Sequence, residues 1–200
     1  MIKKFILLIA MLVIAGGPVS SQTMKEVKKY NKEIQKQAKK KAKELSKEGY
    51  QCLGSGDMTY LLEQHISKVR FGHQELIGKG SSSSENLAKW EAIANAKSNY
   101  ATLQSSSVKG SISTNDAELD GKVSDQILAA FKVNVESLLK DELFESLVLI
   151  RVDKKRYYYQ VFYVVDHETA HALHMMALNM ALDELELTEK YASKVSTWLD

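Results

Sequence analysis

His167, Glu168, Thr169, Ala170 and His171 spell H-E-x-x-H, a pattern in which two histidines one helical turn apart share a zinc ion. The glutamate between them can then act as general base on a metal-bound water. A hydrolase of this kind needs a third protein ligand. One arrangement asks for a glycine and a histidine further along the same helix, but His174 and Ala177 stand in those places. Another takes a carboxylate from a second helix. Here Glu184, Glu186 and Glu189 read as part of the same helix, roughly 20 to 27 Å from His171 at about 1.5 Å per residue. The pair also falls in a first helical turn, where the macrodipole disfavours a cation, and Glu168 projects far from the apolar stripe. The motif is therefore read as surface, and a zinc-dependent metallohydrolase at His167, Glu168 and His171 is kept as the alternative. His174 lies within the stripe and reads as a core histidine.

Other chemistry is thinner. Cys52 is the single cysteine, has no histidine close in sequence, and reads as structural; it excludes an internal disulfide. Tyr157, Tyr158 and Tyr159 place rings on both faces of one strand, either as core on one face under a helix-covered other, or with a ring free for a glycan or partner strand. No catalytic, cofactor-binding or metal-binding residue is assigned, and no cofactor is expected.

The elements that position these residues follow from periodicity. Val27, Tyr30, Ile34, Ala38, Ala42 and Leu45 recur at three- and four-residue steps on a lysine-rich helix that ends at Gly49. Asp57 can cap a short helix to about Val69, with Leu61, Leu62, His65 and Val69 on one side. Arg70 to Gly80 reads as extended and Ser81 to Ser84 as a loop, in which Ser82 and Glu85 fit a capping box. The helix it would start, Glu85 to Gln104, carries Ala88, Ala92, Ile93, Ala96, Tyr100 and Leu103, small enough for close approach to a sheet. Ser105 to Thr114 alternates weakly, as a strand would; Asn115 to Gly121 reads as a loop, and Ser124 can cap a helix bearing Ile127, Phe131, Val135 and Leu138. Leu147 to Val152 and Tyr157 to Val165 are β-branched and aromatic runs flanking Asp153 to Arg156, a hairpin signal. No glycine or proline follows Gly121, so Asp166 to Asp200 reads as one long helix capped by Asp166. Together these predict an α+β fold: an antiparallel sheet with helices packed on one face and a long C-terminal helix after a β-hairpin.

Lys3 and Lys4, the apolar run Phe5 to Ala15 and the small residues Gly16 to Ser21 have the order of a cleavable export signal, with cleavage expected before Gln22. The run is shorter than the roughly twenty residues that span a bilayer. No cysteine follows it directly, so an exported protein, periplasmic or extracellular and not lipid-anchored, is expected. The division is residues 1–21 as signal, 22–49 as a basic helical arm and 50–200 as the α+β domain. Without Lys3 and Lys4, the 27 basic and 25 acidic residues of the chain balance. The arm from Met24 to Gly49 nevertheless holds ten lysines against Glu26, Glu33, Glu44 and Glu48, which leaves the body acidic. Such an arm either lays its stripe and lysines on its own body or binds an anionic surface such as lipid headgroups or wall polymer. Nucleic acid is not expected as a partner, because aromatic residues hardly interleave the lysines.

Four features together resemble exported Bacteroidetes-type proteins of unknown function whose domain is similar to the LPP20 lipoprotein and flagellar FlgT-type families. They are the signal, the lysine-rich helix running into Lys43-Glu44-Leu45-Ser46-Lys47-Glu48-Gly49-Tyr50, the alanine-striped helix Ala88 to Ala101, and the strand Tyr157 to Val165 leading into a last helix. The resemblance covers most of Lys43 to Leu187 and implies an α+β envelope protein that acts as scaffold or surface antigen. It carries over no functional residue, and the lipoproteins' anchoring cysteine is missing here. The expected function is a non-enzymatic cell-envelope protein making structural or interaction contacts with another envelope protein or an anionic surface through the basic helix.

Overall fold

The computed structural model describes residues 21–54, 56–116, 118–139 and 144–199; of the export signal read at residues 1–21, all but Ser21 lies outside them. Helix α1 (Ser21–Lys47) is followed by the two-residue strand β1 (Gln51–Cys52), helix α2 (Met58–Arg70) and strand β2 (Gln74–Ser82). Helices α3 (Glu85–Asn115) and α4 (Gly121–Leu138) come next, then the hairpin β3 (Phe144–Asp153) and β4 (Arg156–Val165). The chain closes with α5 (His167–Glu184), the short helix α6 (Thr188–Tyr191), a 3-10 turn and α7 (Val195–Leu199). The four strands form one antiparallel sheet in the order β1-β3-β4-β2. This is the α+β architecture expected, with a C-terminal helix after a β-hairpin.

Alternation along β4 divides the sheet into two faces. Tyr159, Val161, Tyr163 and Val165 enter the larger core with Leu76, the alanines of α3, and α4, α5 and Trp198 of α7. Phe162, with Leu147 and Leu149 of β3, enters a smaller core closed by Ala38, Ala42 and Leu45 of α1 and Leu62 of α2. The helical layer expected on one face is present, and the basic helix with its neighbour covers the other.

Helix α3 sits directly on β2 because both surfaces lack side-chain bulk. A Cβ at Gly78 would fall 1.9 Å from the Ala92 carbonyl oxygen, and one at Gly80 2.2 Å from that of Ala88. So close, α3 also closes the open edge of β2. Glu91 Oε2 accepts from Ser81 N at 2.7 Å, while Asn95 and Asn99 donate to the carbonyls of Lys79 and Ile77. Helical steps of four residues, about 6.0 Å, nearly match strand steps of two, about 6.7 Å, so one helix row can serve alternate edge groups.

Several local expectations are corrected. Ser105 to Thr114 is helix, not strand: Ser106, Ser113 and Thr114 bond the carbonyls of Thr102, Lys109 and Gly110 four residues back, while Val108 and Ile112 continue the buried face of α3. Leu103 lies outside that face and is exposed. The Ser82–Glu85 capping box does not form. Ser82 ends β2, its hydroxyl accepting from Ser84 N, Ser84 is the N-cap, and Glu85 accepts from the buried Tyr159 hydroxyl instead. Asp120, not Ser124, caps α4, accepting from Lys122 N and Val123 N.

The C-terminal rod expected from Asp166 to Asp200 is also corrected. It starts as expected, with Asp166 accepting from Thr169 N at 2.9 Å, but stops at Glu184. Glu186 takes the left-handed conformation at φ 57°, and Leu187 N returns to the Leu182 carbonyl, a terminating turn usually built on glycine. The left-handed residue costs roughly 1–2 kcal/mol. Burial of Val195 and Trp198 against α3 and α5 offsets it, and the Trp198 indole donates to Asp116 Oδ2 at 2.6 Å.

Candidate functional site

The H-E-x-x-H residues occupy the first turns of α5, where the end of β4 lies beside the start of β2. His167, Glu168 and His171 are all exposed. The break after Glu184 lies at the opposite end of α5, so the glutamates beyond it are not folded back beside the pair. Among the described residues, no three His, Cys, Asp or Glu side chains are grouped so as to hold a metal ion. On the Thr169 side, the motif borders an apolar cavity of about 300 Å³ lined by Thr169, Ala172, Leu173, Met176 and Leu138.

His174 turns inward, as expected of a core histidine. It is buried, its Nε2 lies 3.0 Å from the Tyr100 hydroxyl, and its ring packs on Tyr100 and against the edge of Phe131. The one Tyr100 proton goes to Gln74 Oε1, so His174 must donate Nε2–H to the phenol oxygen. Burial pushes its pKa down to about 4, with the nearby His171 and His167 adding to the effect.

Cys52 is half-buried on β1 opposite Leu149. Burial, and then the Asp57 charge, push its thiol up, the reverse of an activated nucleophile. Of the three tyrosines, Tyr159 is buried and Tyr157 packs half-buried on the same face. Tyr158 lies on the other face with the Arg151 guanidinium 4.1 Å from its ring centre. Core lies on one face of this strand and a helix-covered layer on the other.

The basic helix holds the largest set of side chains that the fold does not use. Ile34, Ala38, Ala42 and Leu45 are buried, Tyr30 is half-buried and Val27 is exposed where α1 outruns the sheet. Gly49, at φ 86°, ends the helix in a turn in which Tyr50 N bonds the Leu45 carbonyl and Gly49 N that of Ser46. Tyr50 and Leu45 enter the same core.

Lys29, Lys32, Lys36, Lys40, Lys43 and Lys47 also recur at three- and four-residue steps; all but Lys43 stand two residues, about 200°, beyond a stripe residue, and Lys43, five residues beyond Ala38, keeps to the same side. They form a ridge pointing straight away from the sheet, roughly 27 Å long at 1.5 Å per residue. All six are exposed. Lys40 reaches Glu44 at 4.0 Å, a marginal pairing, and among the described residues the other five have no ion-pair partner. The glutamates occupy one flank, where Glu33 meets Arg70 of α2 at 3.7 Å, while Gln35, on the other side of α1, bonds Glu63 of α2. Thus the stripe docks on the body as one sequence reading had it, but this row of lysines does not.

Helix α2 runs antiparallel to α1, buries Leu62 and His65 against the same sheet face, and so turns Tyr60, Ser67 and Phe71 outward beside the ridge. Tyr60 is 59% and Phe71 55% exposed, so both rings stand bare to solvent. Sequence reasoning missed this pair, although the phase of Leu62 and His65 already places both rings opposite the buried side. Fold and surface thus define an α+β domain with a helical pair presenting cations and two rings. No family model, curated protein or solved structure matches the chain.

Proposed function

We propose that this protein is a non-enzymatic, exported component of the cell envelope that adheres to an anionic surface through the outward face of α1. The observation that carries it is the lysine ridge: a docked helix holds six cations in line, and five of them have no protein counter-charge among the described residues. Spreading like charge along one line costs self-repulsion, which an anionic partner would relieve. The signal-like N-terminus supports export, and among the described residues no helix is long and apolar enough to cross a membrane. The resemblance to the LPP20 and FlgT-type families points the same way.

Deleting the arm would be a poor test, because it would strip the cover from Leu147, Leu149 and Phe162. Charge substitution leaves the core alone. In cell fractionation, the protein should be found processed before Gln22, held on washed envelopes and released by salt, while Lys29, Lys32, Lys36 and Lys43 all changed to Gln should move it to the soluble exported fraction. An unprocessed protein in the cytoplasm, or equal retention of the substituted form, would overturn the reading.

A further inference from the structure

Resting on that reading, we infer that the anionic surface is a lipid bilayer, on which α1 and α2 lie flat with the lysine ridge among the headgroups and Phe71, aided by Tyr60, inserted beside it. Three observations favour a bilayer over a wall polymer. First, both helices bury their apolar sides against one sheet face, so their outer sides form one exposed layer two helices wide. A flexible polyanion is commonly held in a groove lined by stacking rings, whereas cations along one helix with a bare ring on its neighbour suit a plane that offers both charge and an apolar layer.

Second, the layer carries a phenyl ring with no polar group of its own. A phosphate polymer offers Phe71 little, whereas the boundary between headgroups and acyl chains takes it out of water. The Tyr30 ring lies 5.7 Å from that of Phe71, and Arg70 stacks over Tyr30, so the ring is backed by a held aromatic cluster. Third, the buried stripe of α1 is already committed to the protein core, so this helix cannot roll its apolar side into the membrane. Attraction must then be electrostatic along α1, and therefore salt-sensitive, with ring insertion limited to the α2 side. The glutamates do not cancel it: Glu33 is paired with Arg70 of α2, and from Met24 to Gly49 ten lysines stand against four glutamates.

The test is co-sedimentation of the purified protein with vesicles of one part phosphatidylglycerol to two parts phosphatidylcholine, against phosphatidylcholine alone. Binding should require the anionic lipid and be lost in high salt. Substituting Lys29, Lys32, Lys36 and Lys43 by Gln should weaken partitioning by about fivefold per lysine. Phe71→Ser should cost roughly tenfold, the part of a ring's transfer that shallow insertion recovers. Thermal melts establish that each variant is folded, and Phe71→Trp should blue-shift its emission when vesicles are added. Equal vesicle binding by the lysine variant, or a Phe71→Trp emission that vesicles leave unmoved, would overturn the inference. If the protein ignores vesicles yet binds insoluble peptidoglycan or soluble polyphosphate through the same lysines, the bilayer fails and the proposed function stands. Binding to none of these sinks both.

Discussion

Chemistry at the scale of single residues is decided by where each histidine ends up. His167 and His171 carry the recognisable motif and face solvent, whereas His174, outside the motif, is buried and wired to Tyr100. Its pKa of about 4 against an ordinary 6.5 makes a signed prediction. Between those values the unfolded chain binds a proton that the folded protein refuses, so stability at this site falls as the solution is acidified through that window. From pH 7 to pH 5 the loss should be about 2 kcal/mol. The side chains that hold Asp116, Asp166 and Glu75 below the usual carboxylate range make their stabilisation fail only at lower pH, which leaves this interval clear of them. Urea unfolding at the two pH values should therefore show a smaller drop in His174→Gln, which keeps a donor near Tyr100 but cannot titrate. The same drop in both proteins would mean that the buried imidazole is not its source.

At the scale of elements, the helix-on-strand contact is where a single methyl group matters most. Gly78→Ala would place its Cβ 1.9 Å from the Ala92 oxygen and 2.5 Å from Ala96 N, both backbone, so α3 would have to lift off β2 along the edge it closes. A loss of more than about 3 kcal/mol, or failure to accumulate folded protein, is expected in thermal or urea melts. Gly110→Ala, in the same helix with open space around it, should instead gain up to about 1 kcal/mol. Near-neutral behaviour at Gly78 would contradict the packing. The alanine row that makes this contact was legible in the sequence, as were the hairpin, the caps Asp57 and Asp166, and both faces of α1, because each is a periodic or local signal. Ser105 to Thr114 was not, since hydroxyl side chains bonding carbonyls four residues back leave a composition that looks like weak alternation. Nor was the stop at Glu186, which a distant Trp198 imposes without glycine. Half of the candidate surface escaped for a related reason: that α1 and α2 share one sheet face is a tertiary fact, and only then do Tyr60 and Phe71 join the lysines.

Across the whole molecule the two faces of the sheet are sealed unequally. On one, α3, α4, α5 and α7 bury a large core that includes Trp198. On the other, α1 and α2 close a smaller core dominated by alanine and leucine, and beneath them His65 Nδ1, Gln160 Oε1 and Arg151 Nε have no hydrogen-bond partner among the described residues. Each such group costs about 1–3 kcal/mol, so this layer should open at a lower free energy than the rest. Native-state hydrogen exchange would resolve it: amides in the middle of α1 and α2 should exchange by a partial opening that leaves α3, α4 and α5 protected, a gap of at least about 2 kcal/mol. Trp198 fluorescence, with its indole fully buried, then reports only global unfolding, while Trp90, 72% exposed, stays silent. Exchange free energies that coincide across both layers would defeat the idea. The layer that opens most easily is also the one that carries the lysine ridge, and a partner that binds only the closed form must stabilise it. Anionic vesicles should therefore slow exchange in α1 and α2 selectively, and protection spread evenly over the molecule would show that contact is made elsewhere.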